Sequence, residues 1–218
     1  MIITAENSSR QQEIPDTELV VNLHMHTTYS DGSGSHDDIA KAALETGLDA
    51  VIITDHNIFV EGKEGYYSSG RSRVLLLIGQ EVHNPARQPQ KNHMLILGAD
   101  KDLATLAPDP QQLINGVREA GGLSFLAHPY DPALPAFNED DISWVDWSVS
   151  GFTGIELWNG FSELKMVVKN KLDALVYAFF PQLIAHHPAP QAIAIWNEML
   201  TKGQKIIAVG GSDAHALA

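Results

Sequence analysis

Short apolar runs recur along this chain, and each is followed by a stretch of helical or loop character. Seven runs rich in aliphatic residues predict strands, over residues 19–24, 50–54, 74–82, 93–97, 123–127, 154–158 and 205–209. Strands that alternate with helical segments are typical of β/α units, whose strands lie parallel. We therefore expect an α/β fold built around a sheet of parallel strands.

Apolar residues at helical spacing, together with end signals, predict four helices. Ser35 can cap a helix over residues 37–45, and Pro110 can begin one over residues 110–120. Two further helices are expected over residues 161–180 and 191–200. The first of these carries an apolar stripe that predicts a face packed in the core. The stripe comprises Phe161, Leu164, Val168, Leu172, Leu175 and Phe179.

Two long segments do not fit the simple β/α unit. Residues 57–73 are polar and Gly-rich, and residues 129–150 are rich in Pro, Asp and Trp. Both predict loops on the side of the active site. Long loops of this kind either serve function, here by covering a substrate, or decorate the surface.

The composition fits one domain without cysteine chemistry. The chain has 218 residues, 44% of them hydrophobic, and we expect one domain over residues 1–218 with a polar extension over residues 1–18. Cysteine is absent, so any metal must be held by nitrogen and oxygen. The longest aliphatic run, residues 74–78, is far shorter than the roughly 20 residues of a membrane helix. We expect a cytoplasmic protein without a membrane partner.

The formal charge of −13 argues against an extended nucleic-acid surface, because phosphate backbones are held by clustered Lys and Arg. Bound divalent cations would concentrate positive charge in one pocket. An acidic chain of this kind can therefore still bind a phosphate group.

Histidines and carboxylates fall at the ends of six predicted strands. His24 and His26 form an H-x-H pair, and side chains two apart on a strand share a face. Alone, each such residue is explained as a core, turn or capping residue. Together they predict a metal site, because the carboxyl ends of parallel barrel strands converge on one face. The set is His24, His26, Asp31, His56, Glu81, His93, His128, Asp213 and His215.

The order of these motifs resembles the polymerase and histidinol phosphatase (PHP) family. The motifs are His24-Met25-His26, Ser30-Asp31-Gly32, Thr54-Asp55-His56, Gly79-Gln80-Glu81, Asn92-His93, Ala127-His128-Pro129 and Gly211-Ser212-Asp213-Ala214-His215. The resemblance spans residues 22–215. It implies a distorted (β/α)7 barrel, TIM-like, with a trinuclear metal centre at the carboxyl ends of the strands. The chain stops three residues after His215, where such a barrel continues into a helix, so we expect the native chain to extend beyond Ala218.

The resemblance also implies how the ligands divide. The first metal would be held by His24, His26, Glu81 and Asp213, with Glu81 bridging to a second metal held also by His93 and His128. The third would be held by Asp31, His56 and His215, where Asp31 stands in place of a histidine of some relatives. We expect two or three divalent ions, and these ligands suit zinc, manganese or iron. Asp55 either orients a neighbouring histidine or serves its own turn.

The implied activity is hydrolysis of a phosphate mono- or diester. The substrate would be a phosphorylated metabolite, a nucleotide or a short oligonucleotide. Two cations can share and activate a water, and we expect Glu81, Asp213 and His215 to take part in catalysis. Two alternatives are an amidohydrolase-type hydrolase and a non-catalytic regulatory module that binds metal. The sequence leaves the oligomeric state open.

Candidate substrate contacts come from charged and polar residues near the predicted ligands. Arg71, Arg87 and Lys91 flank Glu81 and His93 in sequence, and a guanidinium can clamp an anionic group in bidentate fashion. The alternative for these three residues is solvated loop charge. Asn159 follows the sixth predicted strand as a further candidate contact, and Glu156, on that strand, is a candidate to orient a ligand.

Overall fold

The computed structural model describes residues 18–180, 183 and 187–215, so that residues 1–17 of the predicted extension lie outside the described part. Eight strands and five α-helices occur within these residues. In chain order they are β1 (Val21–Leu23), α1 (His36–Thr46), β2 (Ala50–Ile53), β3 (Gly65–Ser69), β4 (Ser72–Val82), β5 (Met94–Leu97), α2 (Pro110–Glu119), β6 (Leu123–Leu126), β7 (Gly154–Asn159), α3 (Gly160–Val167), α4 (Lys171–Phe179), α5 (Pro190–Thr201) and β8 (Ile207–Gly211).

Seven strands form a nearly closed barrel, in the order β1-β2-β4-β5-β6-β7-β8. The two end strands meet just beyond their carboxyl ends. There the backbone N–H of Ser212 donates to the carbonyl of Leu23 at 3.1 Å, and that of His26 donates to the carbonyl of Ala214 at 2.9 Å. The predicted fold class, a seven-stranded α/β barrel, is confirmed.

The expectation of an all-parallel sheet is wrong at β5, which runs antiparallel to both β4 and β6. Residues 83–93 join β4 to β5 without a helix, so the chain turns back directly instead of crossing over the sheet. The reversal brings the start of β5 to the edge where the neighbouring strands end. His93, which immediately precedes β5, thereby reaches the same end of the barrel as His128.

The predicted loop over residues 57–73 contains a strand that the sequence pattern missed. β3 pairs with β4 as a hairpin, with Tyr67 opposite Val74 and Ser69 opposite Ser72. Its Gly, Ser and Tyr residues lack an apolar run because this edge strand is largely solvated, and Tyr66 is 61% exposed. Residues 129–150 form a loop as predicted, with one short 3₁₀ helix at Pro135–Phe137.

The single helix expected over residues 161–180 is two helices. α3 ends before Val168, and Asn170 caps α4 by accepting from the backbone N–H of Leu172 at 2.9 Å. The predicted core stripe is wrong beyond this break. Val168 is buried, whereas Leu172 and Phe179 are 69% and 73% exposed. The break ends the helical register on which the stripe prediction depended.

Helices cover the outside of the barrel, and a small apolar cluster fills its interior. Leu95, Phe125 and Ala127 form the interior cluster, with Leu23, Leu97 and Val209 packed against them. Directly paired residues of neighbouring strands point to the same side of a sheet. Glu81 is paired with Leu95, and Glu156 with Val209, so both carboxylates point into the barrel, beside this apolar floor.

The loop over residues 129–150 is attached to α3 by a buried charge pair. Asp131 is fully buried and accepts hydrogen bonds from the ammonium group of Lys165 and the hydroxyl of Ser162. Lys165 is 3% exposed and also donates to the carbonyl of Asp140 at 3.1 Å. Asp131 and Asp140 lie at the two ends of the first half of this loop, and Lys165 holds both of them beside the barrel.

We predict that Lys165→Met lowers the free energy of unfolding by about 3 kcal/mol, because it leaves Asp131 buried without its cation. Lys202→Met is the matched control, since Lys202 and Glu198 form an exposed pair with 63% and 66% of their side chains accessible. Exposed pairs contribute at most about 1 kcal/mol. Urea unfolding of the two variants measures the difference, and equal losses would contradict a structural role for the buried pair.

Candidate metal centre

Most of the predicted ligands lie just outside the strands, and Glu81, which lies on β4, is the exception. β1 ends at Leu23, so His24 and His26 lie beyond the strand. The prediction that they share a site because side chains alternate along a strand is therefore wrong, and the backbone beyond β1 brings them together. His24, His128 and Asp213 have left-handed backbones, with φ of 67°, 27° and 54°. Such conformations cost about 1–3 kcal/mol each in non-glycine residues and concentrate at functional sites.

Glu81 lies at the centre of the site with its two oxygens turned to different histidines. Its Oε1 lies 2.9 Å from both His93 Nδ1 and His128 Nε2. Its Oε2 lies 3.0 Å from His24 Nε2 and 3.2 Å from His26 Nε2. The carboxylate is 1% exposed and thus joins two groups of imidazoles inside the barrel mouth.

Two further carboxylates complete the surroundings of the rings. Asp213 Oδ1 lies 3.3 Å from His24 Nε2 and 3.2 Å from His26 Nε2. Asp31 is more exposed, with its oxygens 3.4 Å from His215 Nε2 and 3.5 Å from His56 Nε2. The site therefore runs from a buried floor at Asp213 to an open rim at Asp31.

Among the residues that the structure describes, four groups of side chains have ligand atoms within 4.8 Å of one another. Three of them contain the ligand sets that the resemblance implies, and His26 additionally joins the third. The groups are His24, His26, Glu81 and Asp213; Glu81, His93 and His128; His26, Asp31, His56 and His215; and His56, His83 and His93. All nine predicted ligands are thus brought to one end of the barrel.

The carboxylates and imidazoles shift one another's pKa in the metal-free protein. Burial alone lowers the pKa of His26, but Asp213 and Glu81 outweigh it and raise the pKa to about 9. Burial lowers the pKa of His128 as well, but Glu81 outweighs it and raises this pKa to about 9. The pKa of Asp213 is lowered well below its usual range, because the histidines outweigh the burial that would raise it. The metal-free site thus holds protons where cations would bind.

The donor set fits divalent cations. Ligand atoms that share one ion at about 2.1 Å lie about 3.0–3.4 Å apart, and the nitrogens of His24 and His26 have these separations from Glu81 and Asp213. The other nitrogen of His24 lies 2.8 Å from Glu156. A carboxylate behind the ring fixes its proton there and turns the free lone pair toward the ligand group. Two buried carboxylates face this nitrogen, so the arrangement requires positive charge here, either from a proton on the ring or from a bound cation.

Glu156 and Asn159 position the ligands from behind. Glu156 Oε2 accepts from the backbone N–H of His128 at 2.9 Å. Asn159 Nδ2 donates to Glu156 Oε2 at 3.0 Å and to Asp213 Oδ2 at 3.1 Å, while its Oδ1 accepts from the backbone of Ser162 at 2.8 Å. The structure gives Asn159 a role in orienting the ligands and capping α3, and its side chain is buried, so a contact between Asn159 and substrate stays a prediction.

Asp55 takes a role that differs from both of those that the sequence left open, because it accepts hydrogen bonds from another segment of the chain rather than from its own turn. Its Oδ1 accepts from the backbone N–H of Thr27 and from the hydroxyl of Ser30, each at 2.7 Å. Its Oδ2 accepts from the hydroxyl of Thr27 at 2.7 Å. These bonds hold the segment between His26 and Asp31 against the end of β2.

Arg71, Arg87 and Lys91 do not share one location. Arg71 lies in the turn before β4, and the strand places about 30 Å between that turn and Glu81, so the structure does not bring Arg71 to the centre. The sequence analysis did not predict β3, so it could not show that Arg71 lies in the hairpin turn at the far end of β4 from Glu81. Arg87 and Lys91 line a small cleft in the loop between β4 and β5, and Lys91 forms an ion pair with Asp141.

His83 is a site residue that the sequence reasoning missed. It is 5% exposed and stacks on His93, with ring centroids 4.3 Å apart. Burial, with His93 and His56 nearby, lowers its pKa to about 3. The available signal was its position two residues after Glu81, immediately beyond the end of β4.

Gly211 gives a direct test of how tightly the ligands are positioned. A Cβ on Gly211 would lie 2.3 Å from Glu156 Oε1 and 2.7 Å from His24 Cβ, whereas one on Gly210 would come no closer than 3.5 Å to Trp158. We expect Gly211→Ala to displace this pair and reduce the metal bound per chain after dialysis against manganese. Gly210→Ala should bind as the wild type does, and equal metal contents in the two variants would contradict the predicted close fit.

Metal affinity should rise with pH up to about 9. His26 and His128 hold protons up to a pKa of about 9, and only neutral imidazoles bind metal. The same raised pKa values stabilise the metal-free fold fully below 6.5, and this contribution is lost as the pH rises through about 9. Calorimetric titration with manganese in buffers of different ionisation enthalpy measures the protons released. A metal affinity that does not change between pH 7 and pH 9 would contradict the prediction.

Comparison with known proteins agrees with this geometry. Residues 22–127 match the family model of the PHP domain. An uncharacterised protein of Methanocaldococcus jannaschii is 28% identical over 151 residues, which cover 64% of this chain and 81% of that protein. Among the residues that the structure describes, no helix is long and apolar enough to cross a membrane.

Solved structures share the fold at low identity. A two-domain protein of Bacteroides vulgatus, containing a predicted PHP-like metal-dependent phosphoesterase, has a TM-score of 0.52 and 22% identity, over 90% of this chain and 52% of that one. This chain thus spans about half of that protein. A protein of Bifidobacterium adolescentis, whose assignment as a metal-dependent phosphoesterase is itself an inference, has a TM-score of 0.53 and 15% identity, over 92% of this chain and 89% of that one. These likenesses bear on the fold. The sequence match places a PHP domain at residues 22–127 of this chain.

Proposed function

We propose that this chain is a metal-dependent phosphoesterase that hydrolyses phosphate mono- or diesters of small molecules or nucleotides. The observation that carries the proposal is Glu81, whose two oxygens lie 2.9–3.2 Å from imidazoles of two different groups. A carboxylate shared in this way would hold two cations close enough together to act on one phosphoester. The ligand set is nitrogen and oxygen only, which suits zinc, manganese or iron.

Bound cations would supply an activated water and positive charge opposite the phosphoryl oxygens. The chain's residues provide the arrangement. Glu81, with Asp213 and the histidines of the first two groups, would hold the ions at the buried floor, away from competing solvent. Asp31, His56 and His215 form the open rim, where the substrate enters. In a centre of two metals, where His215 is not a ligand, its raised pKa allows it to hold a proton beside the departing oxygen.

The substrate class follows from charge and access. The barrel mouth is bordered by loops rather than by a long basic groove, and the whole chain is acidic. We propose a small phosphorylated molecule or a nucleotide, whose remaining anionic groups contact Arg87 or Lys91 in the adjacent cleft. To contact the substrate, Lys91 would have to break its ion pair with Asp141.

The proposal is tested with manganese-loaded protein, a panel of phosphate mono- and diesters, and amide and carboxyl-ester substrates as the competing class. We expect turnover of phosphate esters only. Glu81→Gln keeps the shape of the side chain but removes the bridging charge, so the rate should fall by roughly a hundredfold or more and the bound metal should decrease. Glu198→Gln changes an exposed carboxylate in the same way and serves as the control.

The outcomes separate the candidate functions. Hydrolysis of amides with no phosphate release would favour an amidohydrolase. Two or three equivalents of metal without turnover of either class would favour a regulatory module that binds metal. A Glu81→Gln protein that retains full metal content and full rate would overturn the bridging role.

A further inference from the structure

His83 lies beside the metal centre, outside the three ligand groups that the proposed reaction uses. Its ring stacks on His93 and meets the ring of His56 edge-on, with centroids 5.0 Å apart. Its Nδ1 is buried and has no hydrogen-bond partner among the residues that the structure describes. Buried polar groups are nearly always hydrogen-bonded, so an unpartnered one beside a candidate active site indicates a partner that arrives on binding.

Asn57 determines which nitrogen of His83 carries the proton. Asn57 Oδ1 accepts from the backbone N–H of His83 at 3.0 Å, and this bond fixes the orientation of the amide. Its Nδ2 therefore faces His83 Nε2, 3.3 Å away. An amide nitrogen only donates, so Nε2 accepts, and the neutral ring carries its proton on Nδ1. If Nε2 also carried a proton, its N–H would face the N–H donor of Asn57 Nδ2, and no hydrogen bond could form between them.

We propose that His83 is a substrate-binding residue whose Nδ1–H donates to an oxygen of the phosphoryl group held at the metal centre. The inference rests on the proposed function and extends it to a residue outside the ligand groups. A hydrogen bond from a fixed donor to an anionic oxygen is charge-assisted and shorter than one between neutral groups. Because the donor is oriented before binding, little ordering is required when the substrate arrives.

The same geometry argues against His83 as a metal ligand. One ring nitrogen of His83 lies within 4.8 Å of nitrogens of His56 and His93, so proximity alone would permit it. A ligand nitrogen needs a free lone pair, but Nδ1 carries the proton and the lone pair of Nε2 is occupied by Asn57. His83 is therefore placed to contact what the metals bind.

Asn57→Asp is the sharpest test, because it keeps the shape of residue 57 and reverses the proton on His83. One aspartate oxygen would still accept from the backbone of residue 83, and the other would now accept from Nε2–H, leaving Nδ1 with a lone pair. Long-range ¹H–¹⁵N spectra of zinc-loaded, ¹⁵N-histidine-labelled protein should show the proton on Nδ1 in the wild type and on Nε2 in this variant. Asn84→Asp adds the same charge nearby, without facing the ring, and is the control.

Binding of inorganic phosphate to the zinc-loaded protein measures the proposed contact without requiring turnover. His83→Phe keeps a ring that can stack on His93 and removes the donor, so phosphate should bind about tenfold to a hundredfold more weakly. Asn57→Asp should weaken phosphate binding by at least as much, and Asn84→Asp should have a much smaller effect. The bound zinc should be unchanged in His83→Phe.

Loss of a metal equivalent in His83→Phe would overturn the proposal in favour of a ligand role. Unchanged phosphate affinity in that variant, or a wild-type proton on Nε2, would also overturn it. These outcomes differ from failure of the proposed function. A wild-type protein that binds phosphate through His83 but hydrolyses no phosphate ester would refute the esterase activity and leave the His83 contact intact.

Discussion

The structure depends on a carboxylate buried among imidazoles. Glu81 is 1% exposed, and removing an isolated carboxylate from water costs several kcal/mol unless cations or hydrogen bonds surround it. Five histidines from four separate chain segments provide those partners, at 2.9–3.2 Å from the two oxygens. In the metal-free protein, the raised pKa values of His24, His26 and His128 allow these three rings to hold protons, whereas bound metal would take the place of those protons. The fold must bring these segments together in either state.

Several costly local features become intelligible as means of holding this arrangement. His24 and Asp213 have strained left-handed backbones, yet both take part in the hydrogen bonds that close the barrel, since the backbone N–H of Asp213 donates to the carbonyl of His24 at 2.8 Å. Gly211 leaves the space that Glu156 and His24 occupy. Barrel closure and ligand geometry are therefore one constraint, and disturbing either should disturb the other.

Much of the site could be predicted because its chemistry is carried by residue types at strand ends. The antiparallel direction of β5 was not predicted. In an all-parallel barrel, His93 at the start of its strand would lie at the opposite end from the other ligands. The roles of Asn159 and Arg71 also depended on tertiary facts. Asn159 is occupied by hydrogen bonds to Asp213 and Ser162, and Arg71 is separated from the centre by a hairpin whose polar edge strand has no apolar signature.

Charge connects metal binding to substrate binding. The ligand groups contain three carboxylates, Glu81, Asp31 and Asp213, so with neutral histidines they repel an anionic substrate, and the rest of this acidic chain adds to the repulsion. Two divalent cations bring four positive charges and leave the centre with one, while a third makes it more positive still. Once the histidines are neutral and bind metal, the field that would attract phosphate in the proposed reaction would therefore come from the cations. A neutral donor such as His83 suits this centre, because it can recognise the anion without repelling the cations that must bind first.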